Sequence, residues 1–372
     1  MRVAIDARYV REKPSGIGAY VQALVDRLPL IAPTDRFVLW AHTRAARPLS
    51  RAENTCELTV RPGPNSPLTL LWPRLYASFD EVDVFHAPHN LLPRGLRCAT
   101  VATIHDLMAI DEPGLHLQGI ERAVKSVYYP QAVRRALNRA TRLIVMTAAT
   151  AERVRAIAPA AIARVRVVAL AADPGFRPAA DADVARRRAA AITGGDAPYL
   201  LVVGQSSAAK RHADAIAALA AGVPRPWRLV LQQRQGARGT LRRLARRLHV
   251  EDRVVWLERI GRDEVVALMQ AAGALVQPST YEGFGLPVVE AMACGCPVVA
   301  ADIPPLREVA GGAAMLVPAA DVARLARALG EVTASADRRQ ALAGQGLIRA
   351  RAFSWDRCAR ETLDVYREAS GC

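Results

Sequence analysis

Ser279-Thr-Tyr-Glu-Gly-Phe-Gly-Leu-Pro-Val-Val-Glu-Ala-Met-Ala-Cys-Gly-Cys-Pro-Val-Val299 is the most informative segment of the chain. Gly283 and Gly285 let a backbone approach a ligand closely and adopt positive φ. Pro287 suits the first position of a helix, where no N–H is needed. Gly295 stands where a glycine ends a helix, and Cys296-Pro297 cannot continue it. The stretch therefore predicts a glycine loop followed by a short helix. The amino end of that helix, with its unpaired N–H groups and positive dipole, faces the loop and forms an anion site suited to phosphate. Glu282 lies before the loop, and Glu290 is expected in the first helical turn. The plainer alternative is that Glu290 complements the helix dipole and Glu282 is a solvated loop residue.

Outward from this stretch, short apolar runs alternate with amphipathic helical stretches, the pattern of βα units on a parallel sheet. Strands are expected at Arg2–Ile5, Phe37–Ala41, Val84–His86, Thr100–Ile104, Leu143–Met146 and Val165–Ala169, with helices such as Ile17–Leu28 and Gln131–Arg139 between them. A second series of strands is expected at Tyr199–Val203, Arg228–Leu231, Val254–Leu257, Ala274–Gln277 and Val298–Ala300. Its helices are expected at His212–Ala220, Leu241–Leu248, Arg262–Ala271 and Asp321–Leu329. The fold class is α/β, with two successive doubly wound, Rossmann-like domains. Residues 1–172 form the first domain, 173–197 a linker with some helix, and 198–353 the second. A terminal helix over 354–372 is capped by Ser354, with Trp355, Ala359, Leu363 and Tyr366 on one face.

The Glu282–Glu290 stretch closely resembles the Glu-(seven residues)-Glu signature of retaining GT-B glycosyltransferases, and the resemblance covers nearly the whole chain. It implies two lobes facing a cleft, a terminal helix that crosses back to the first lobe, and a nucleotide diphosphate sugar as co-substrate. It also implies roles for single residues. Glu282 would touch the donor sugar and Glu290 would grip the ribose. The Gly283, Phe284, Gly285 and Leu286 backbone would hold phosphate. His105, in Ile104-His-Asp106, would contact the donor sugar; otherwise it is a hydrogen-bonded edge histidine.

Lys210, in the loop Val203-Gly-Gln-Ser-Ser-Ala-Ala-Lys210, would hold the leaving diphosphate together with Gly204. Many family members carry Arg after that glycine, and here Gln205 stands there. Arg before the lysine is replaced by Ala209, for which Arg211 is a substitute. The alternative for Lys210 is a solvated lysine at a helix start. Gly16-Ile-Gly18 opens a helix after the first strand. Its third glycine is missing, since Val21 stands there, and the second strand ends Trp40-Ala-His42 without an acid, which disfavours a dinucleotide enzyme. Gly16 and Gly18 are either a phosphate or acceptor loop or a tight turn. His86 and His89 either meet an acceptor or only shape a loop, and the second reading is preferred.

The net charge is +15 on 372 residues, mostly through dispersed arginine, and no nucleic-acid motif accompanies it. No nucleic-acid partner is expected. Arg122, Lys125, Tyr128, Tyr129, Arg134, Arg135 and Arg139 form a basic and aromatic cluster suited to an anionic lipid or polymer. The basic helix over Arg238–Leu248 carries a stripe of Leu241, Leu244 and Leu248 that would lie on a membrane or cover a sheet, and the second reading is preferred. No long apolar run or signal peptide is read. The scattered Cys56, Cys98, Cys294, Cys296, Cys358 and Cys372 suit reduced thiols, so a cytoplasmic protein is expected, at most peripheral at the inner face of a membrane. No Asp-x-Asp motif is read, and no metal or other cofactor is expected.

The resulting expectation is a retaining hexosyltransferase with GDP-mannose as first donor and a UDP-sugar as second. Its acceptor would be a hydroxyl of a glycan or lipid-linked molecule. Alternatives are a GT-B sugar-nucleotide epimerase or hydrolase, or a non-catalytic binder of anionic polymer.

Overall fold

The computed structural model describes residues 1–11, 15–43, 45, 48–79, 81–112, 122–205, 207–233, 238–258 and 260–371, with backbone alone at 122–125 and 238. The chain divides into two compact units, one of Met1–Leu170 with Ser354–Cys372 and one of Ala171–Phe353.

The first unit is built on β1 (Arg2–Ile5), β2 (Arg36–Ala41), β3 (Thr55–Thr59), β4 (Val84–Ala87), β5 (Ala99–Ile104), β6 (Arg142–Val145) and β7 (Val165–Val167). Among the described residues these form a seven-stranded sheet in the order β3-β2-β1-β4-β5-β6-β7, with each neighbouring pair parallel. The central strands are apolar because helices cover both faces of a parallel sheet; β4 is buried along its whole length. Trp40, Phe79 and Phe85 meet ring to ring in the core. The edge strand β3, Thr-Cys-Glu-Leu-Thr, is half exposed, and its weak apolar signal hid it from the sequence reading.

The second unit repeats the plan with β8 (Tyr199–Val203), β9 (Arg228–Gln233), β10 (Val254–Glu258), β11 (Ala274–Gln277), β12 (Val298–Ala301) and β13 (Met315–Val317). The six strands run in the order β10-β9-β8-β11-β12-β13, all parallel. Both sheets thus reverse their winding in mid-sheet, between β1 and β4 and between β8 and β11. Open α/β sheets bind ligands at the carboxyl ends of strands beside such a reversal.

Two stretches of mixed composition serve as cover for the second unit. Residues 173–197, expected as a linker with some helix, hold the helix Ala182–Thr193, capped by Asp181. This helix packs against the helix Arg262–Ala271, so its alanines Ala185 and Ala189 serve as cover for the second unit. The helix Arg238–Arg247 buries Leu241, with Leu244 and Leu248 packed behind it, in the second unit's core. Its apolar stripe is therefore already occupied by protein.

The terminal helix Trp355–Ser370 is capped by the Ser354 side chain and belongs to the first unit. Trp355, Cys358, Ala359, Leu363 and Tyr366 are buried, and burying each large side chain is worth about 1.5–3 kcal/mol. A buried polar chain ties the helix down. The Tyr366 hydroxyl lies 2.7 Å from His86 Nδ1, His86 Nε2 lies 2.8 Å from Thr103 Oγ1, and Thr103 lies 3.0 Å from the Tyr20 hydroxyl. His86 is therefore a structural histidine under the terminal helix. No helix of the described residues is long and apolar enough to cross a membrane.

Candidate functional site

The carboxyl ends of β8 and β11 carry most of the residues singled out in the second unit. After β8 the chain turns at Gly204, whose φ of 140° favours glycine. A short 3-10 turn, Ala208–Lys210, then leads into the helix His212–Gly222. After β11 it runs through Ser279–Tyr281 to Glu282. The two loops are sewn together, because the Thr280 N–H donates to the Ala209 carbonyl at 2.9 Å. This brings Lys210 and Glu282, far apart in sequence, into contact. Lys210 Nζ donates to Glu282 Oε1 at 2.6 Å. The same oxygen accepts from Gln277 Nε2 at 2.6 Å. The Glu282 side chain is 8% exposed and that of Lys210 25%. A carboxylate this buried needs such donors to offset the water it has lost.

Gln277 also donates to Ser279 Oγ at 3.0 Å. Both residues are buried, and neither was singled out from sequence. A polar residue closing an apolar strand was the available signal.

The loop beyond Glu282 is fixed by packing. Phe284 turns inward and meets Phe353 edge-on at 5.6 Å. Gly285 caps the helix Leu286–Ala293 with φ 91° and ψ 49°. A Cβ there would lie 2.4 Å from Leu306 Cδ2, so both conformation and space demand glycine. The helix ends at Cys294, followed by Gly295 at φ 73°. Two details of the sequence reading are corrected. Pro287 is the second helical residue, and Glu290 is not in the first turn, which holds no acid. The dipole's pull falls off within that first turn, so dipole complementarity is a poor account of Glu290. Burial, then the nearby Glu290, pushes the Cys294 thiol up to about 12.

Arg211 adopts φ 52° and pairs with Asp214 at 2.8 Å. Its guanidinium is thus engaged on its own helix. His212 follows, buried, with its pKa lowered to about 4 by burial and then by Lys210.

The first unit carries the remaining candidates. His105 follows β5. Its Nε2 lies 2.9 Å from the Pro88 carbonyl, which can only accept, so Nε2 carries the hydrogen and Nδ1 is left as an acceptor. Burial holds its pKa below the usual value, opposed by Pro88 and Asp106. Its ring stands edge-on to Tyr20, and its N–H donates to Asn90 Oδ1 at 2.8 Å. Ser15 caps the helix Gly16–Ile31 by accepting from the Gly18 N–H. A Cβ on Gly18 would lie 2.7 Å from the Tyr9 carbonyl oxygen, whereas one on Gly16 would meet open space. Gly18 is thus required by packing, and Gly16 faces outward. His89 stacks on Tyr9 at 5.2 Å. Of the basic cluster, the Arg122 and Lys125 side chains lie outside the described residues. Arg135, close to Arg94 and Arg139, has its pKa lowered by burial and then by these like charges.

The family model for glycosyl transferases group 1 matches residues 185–347, and that for glycosyltransferase family 4 matches residues 14–176. The chain belongs to the GT-B glycosyltransferases. This glycosyltransferase is 25% identical over 389 residues to O-antigen chain mannosyltransferase B of Escherichia coli, covering 99% of this chain and 100% of that one. To the D-inositol 3-phosphate glycosyltransferase of Salinispora tropica it is 44% identical over 131 residues, 34% of this chain but 27% of that protein. Its fold resembles that of HepE from Anabaena, solved with UDP-glucose, with a TM-score of 0.70, 18% identity and 98% of each chain covered.

Proposed function

We propose that the enzyme is a retaining hexosyltransferase that uses a nucleotide diphosphate sugar, with GDP-mannose as the first candidate donor and a UDP-sugar as the second. The acceptor is a hydroxyl of a glycan or a lipid-linked glycan. The observation that carries this reading is the Lys210–Glu282 contact beside the Gly285-capped helix at the β8–β11 reversal. Lys210 has three N–H donors, and those not given to Glu282 are available for diphosphate oxygens. The amino end of the helix Leu286–Ala293 adds a positive dipole. Glu282 accepts from the sugar hydroxyls and Glu290 from the ribose hydroxyls. The mannosyltransferase relative supports a mannose donor, and the UDP-glucose complex of HepE keeps the UDP-sugar reading open.

In the same-face substitution proposed, the bond between the sugar's anomeric carbon and the diphosphate oxygen breaks. The acceptor oxygen bonds that carbon on the same face. The departing phosphate oxygen takes the acceptor proton, and Lys210 stabilises the charge that develops on the diphosphate, an electrostatic contribution of the largest catalytic kind.

Thermal stabilisation by GDP, GDP-mannose, UDP and UDP-glucose tests the donor. Product analysis of the anomeric configuration tests retention. Glu282→Ala is expected to abolish transfer while keeping nucleotide binding, and Glu290→Ala to weaken nucleotide binding. Wild-type activity in both variants would remove the site.

A further inference from the structure

Gln233 is the last residue of β9 and is 2% exposed. Strand β9 lies beside β8, with Gln232 in register with Val203, so Gln233 stands at the same end of the sheet as Gly204 and the Lys210 loop. Its Nε2 donates to His212 Nδ1 at 2.6 Å. That bond puts the hydrogen of neutral His212 on Nε2 and commits one end of the Gln233 amide. The other end, Oε1, is buried and has no hydrogen-bond partner among the described residues. An acceptor left so is destabilising, because it has given up water for no partner. A leucine would fill the same space without that cost. Burial and then Lys210 hold His212 in the neutral state this pairing requires.

We propose that Gln233 recognises the nucleoside of the donor, its Oε1 accepting a hydrogen bond from an N–H of the base. The inference rests on the donor reading above and adds a residue to it. A lone acceptor finds no hydrogen on the diphosphate of a nucleotide sugar, which is esterified at both ends and fully ionised at neutral pH. It fits the ring N–H of guanine or of uracil, and the ribose hydroxyls are already given to Glu290.

Calorimetric titration of wild type and Gln233→Leu with GDP, UDP and inorganic pyrophosphate tests this. The variant should bind the preferred nucleoside diphosphate about fivefold to tenfold more weakly, as expected for one lost hydrogen bond. Its pyrophosphate affinity should not change. Equal nucleotide affinity in a folded variant overturns the assignment and leaves the donor reading standing. Binding of neither GDP nor UDP by wild type removes the donor reading and this one together. Should the variant fail to fold, wild type is titrated with the GDP or UDP analogue methylated at the ring N–H. A comparable loss supports the assignment, and undiminished binding overturns it.

Discussion

Replacing Gly285 by alanine should injure the fold and the proposed donor site together, and the structure sets the size of the effect. Gly285 sits at φ 91° as the cap of the helix Leu286–Ala293. Alanine in a left-handed conformation costs about 1–2 kcal/mol. The added methyl would stand 2.4 Å from Leu306 Cδ2. Leu306 is fully buried in the helix Pro304–Ala310 and has nowhere to go. Overpacking of this kind adds about 1–3 kcal/mol, so the sum is about 2–5 kcal/mol. In a unit of this size that corresponds to about 5–15 °C in the melting of the second unit. Relieving the clash must displace the packed Glu282–Gly285 loop from its place, so affinity for the donor nucleotide should fall at least about tenfold. Calorimetric melting and nucleotide titration read the two effects. Leu306→Ala in the same chain should recover about 1 kcal/mol relative to the sum of the two single changes, because it vacates the space the methyl needs. A Gly285→Ala protein with wild-type melting and wild-type nucleotide affinity would refute the reasoning.

Lys210→Met should lower kcat about 100-fold to 1,000-fold, the usual loss when a charge-stabilising donor is removed. In titrations, affinity for the nucleoside monophosphate should hardly change while that for the diphosphate falls. His105→Phe keeps the ring against Tyr20 but removes the Nδ1 acceptor and the bond to the Pro88 carbonyl; steady-state kinetics should show a loss of kcat far larger than the few degrees of melting temperature the lost bond accounts for. Acid should destabilise the first unit through His86, whose pKa is lowered to about 3 by burial and then by His105. The folded imidazole stays neutral while the unfolded one, near 6.5, takes up a proton. Stability is therefore complete above about pH 6.5 and is lost as pH falls toward 3, by about 2 kcal/mol at pH 5. Urea unfolding across this range should show the slope, and His86→Gln should reduce it by His86's share, with His89, also lowered to about 3, keeping the remainder.

The α/β fold class was legible because buried parallel strands are apolar runs and the covering helices keep their own period. Tyr199–Val203 and Ala274–Gln277 are strands with the bounds their apolar runs suggest. The edge strands were harder. β3 mixes polar and apolar residues on a half-exposed edge, and β13 is three residues long. The approach of Lys210 to Glu282 was invisible as a contact, since it depends on how two loops are joined through Thr280 and Ala209. Gln233, Gln277 and His212 were missed because a glutamine or histidine at an element's end looks like a boundary residue. Only the burial of their side chains shows that they face inward.

The grouping of Ser354–Cys372 with Met1–Leu170 bears on how the enzyme is made. During synthesis, the whole of Ala171–Phe353 leaves the ribosome before Trp355 and Tyr366 do. The second unit can close on itself while the first still awaits the residues that fill its core and partner His86. The amino-terminal half is therefore the last to mature, and a nascent chain stalled before residue 354 carries a finished second unit joined to an incomplete first one.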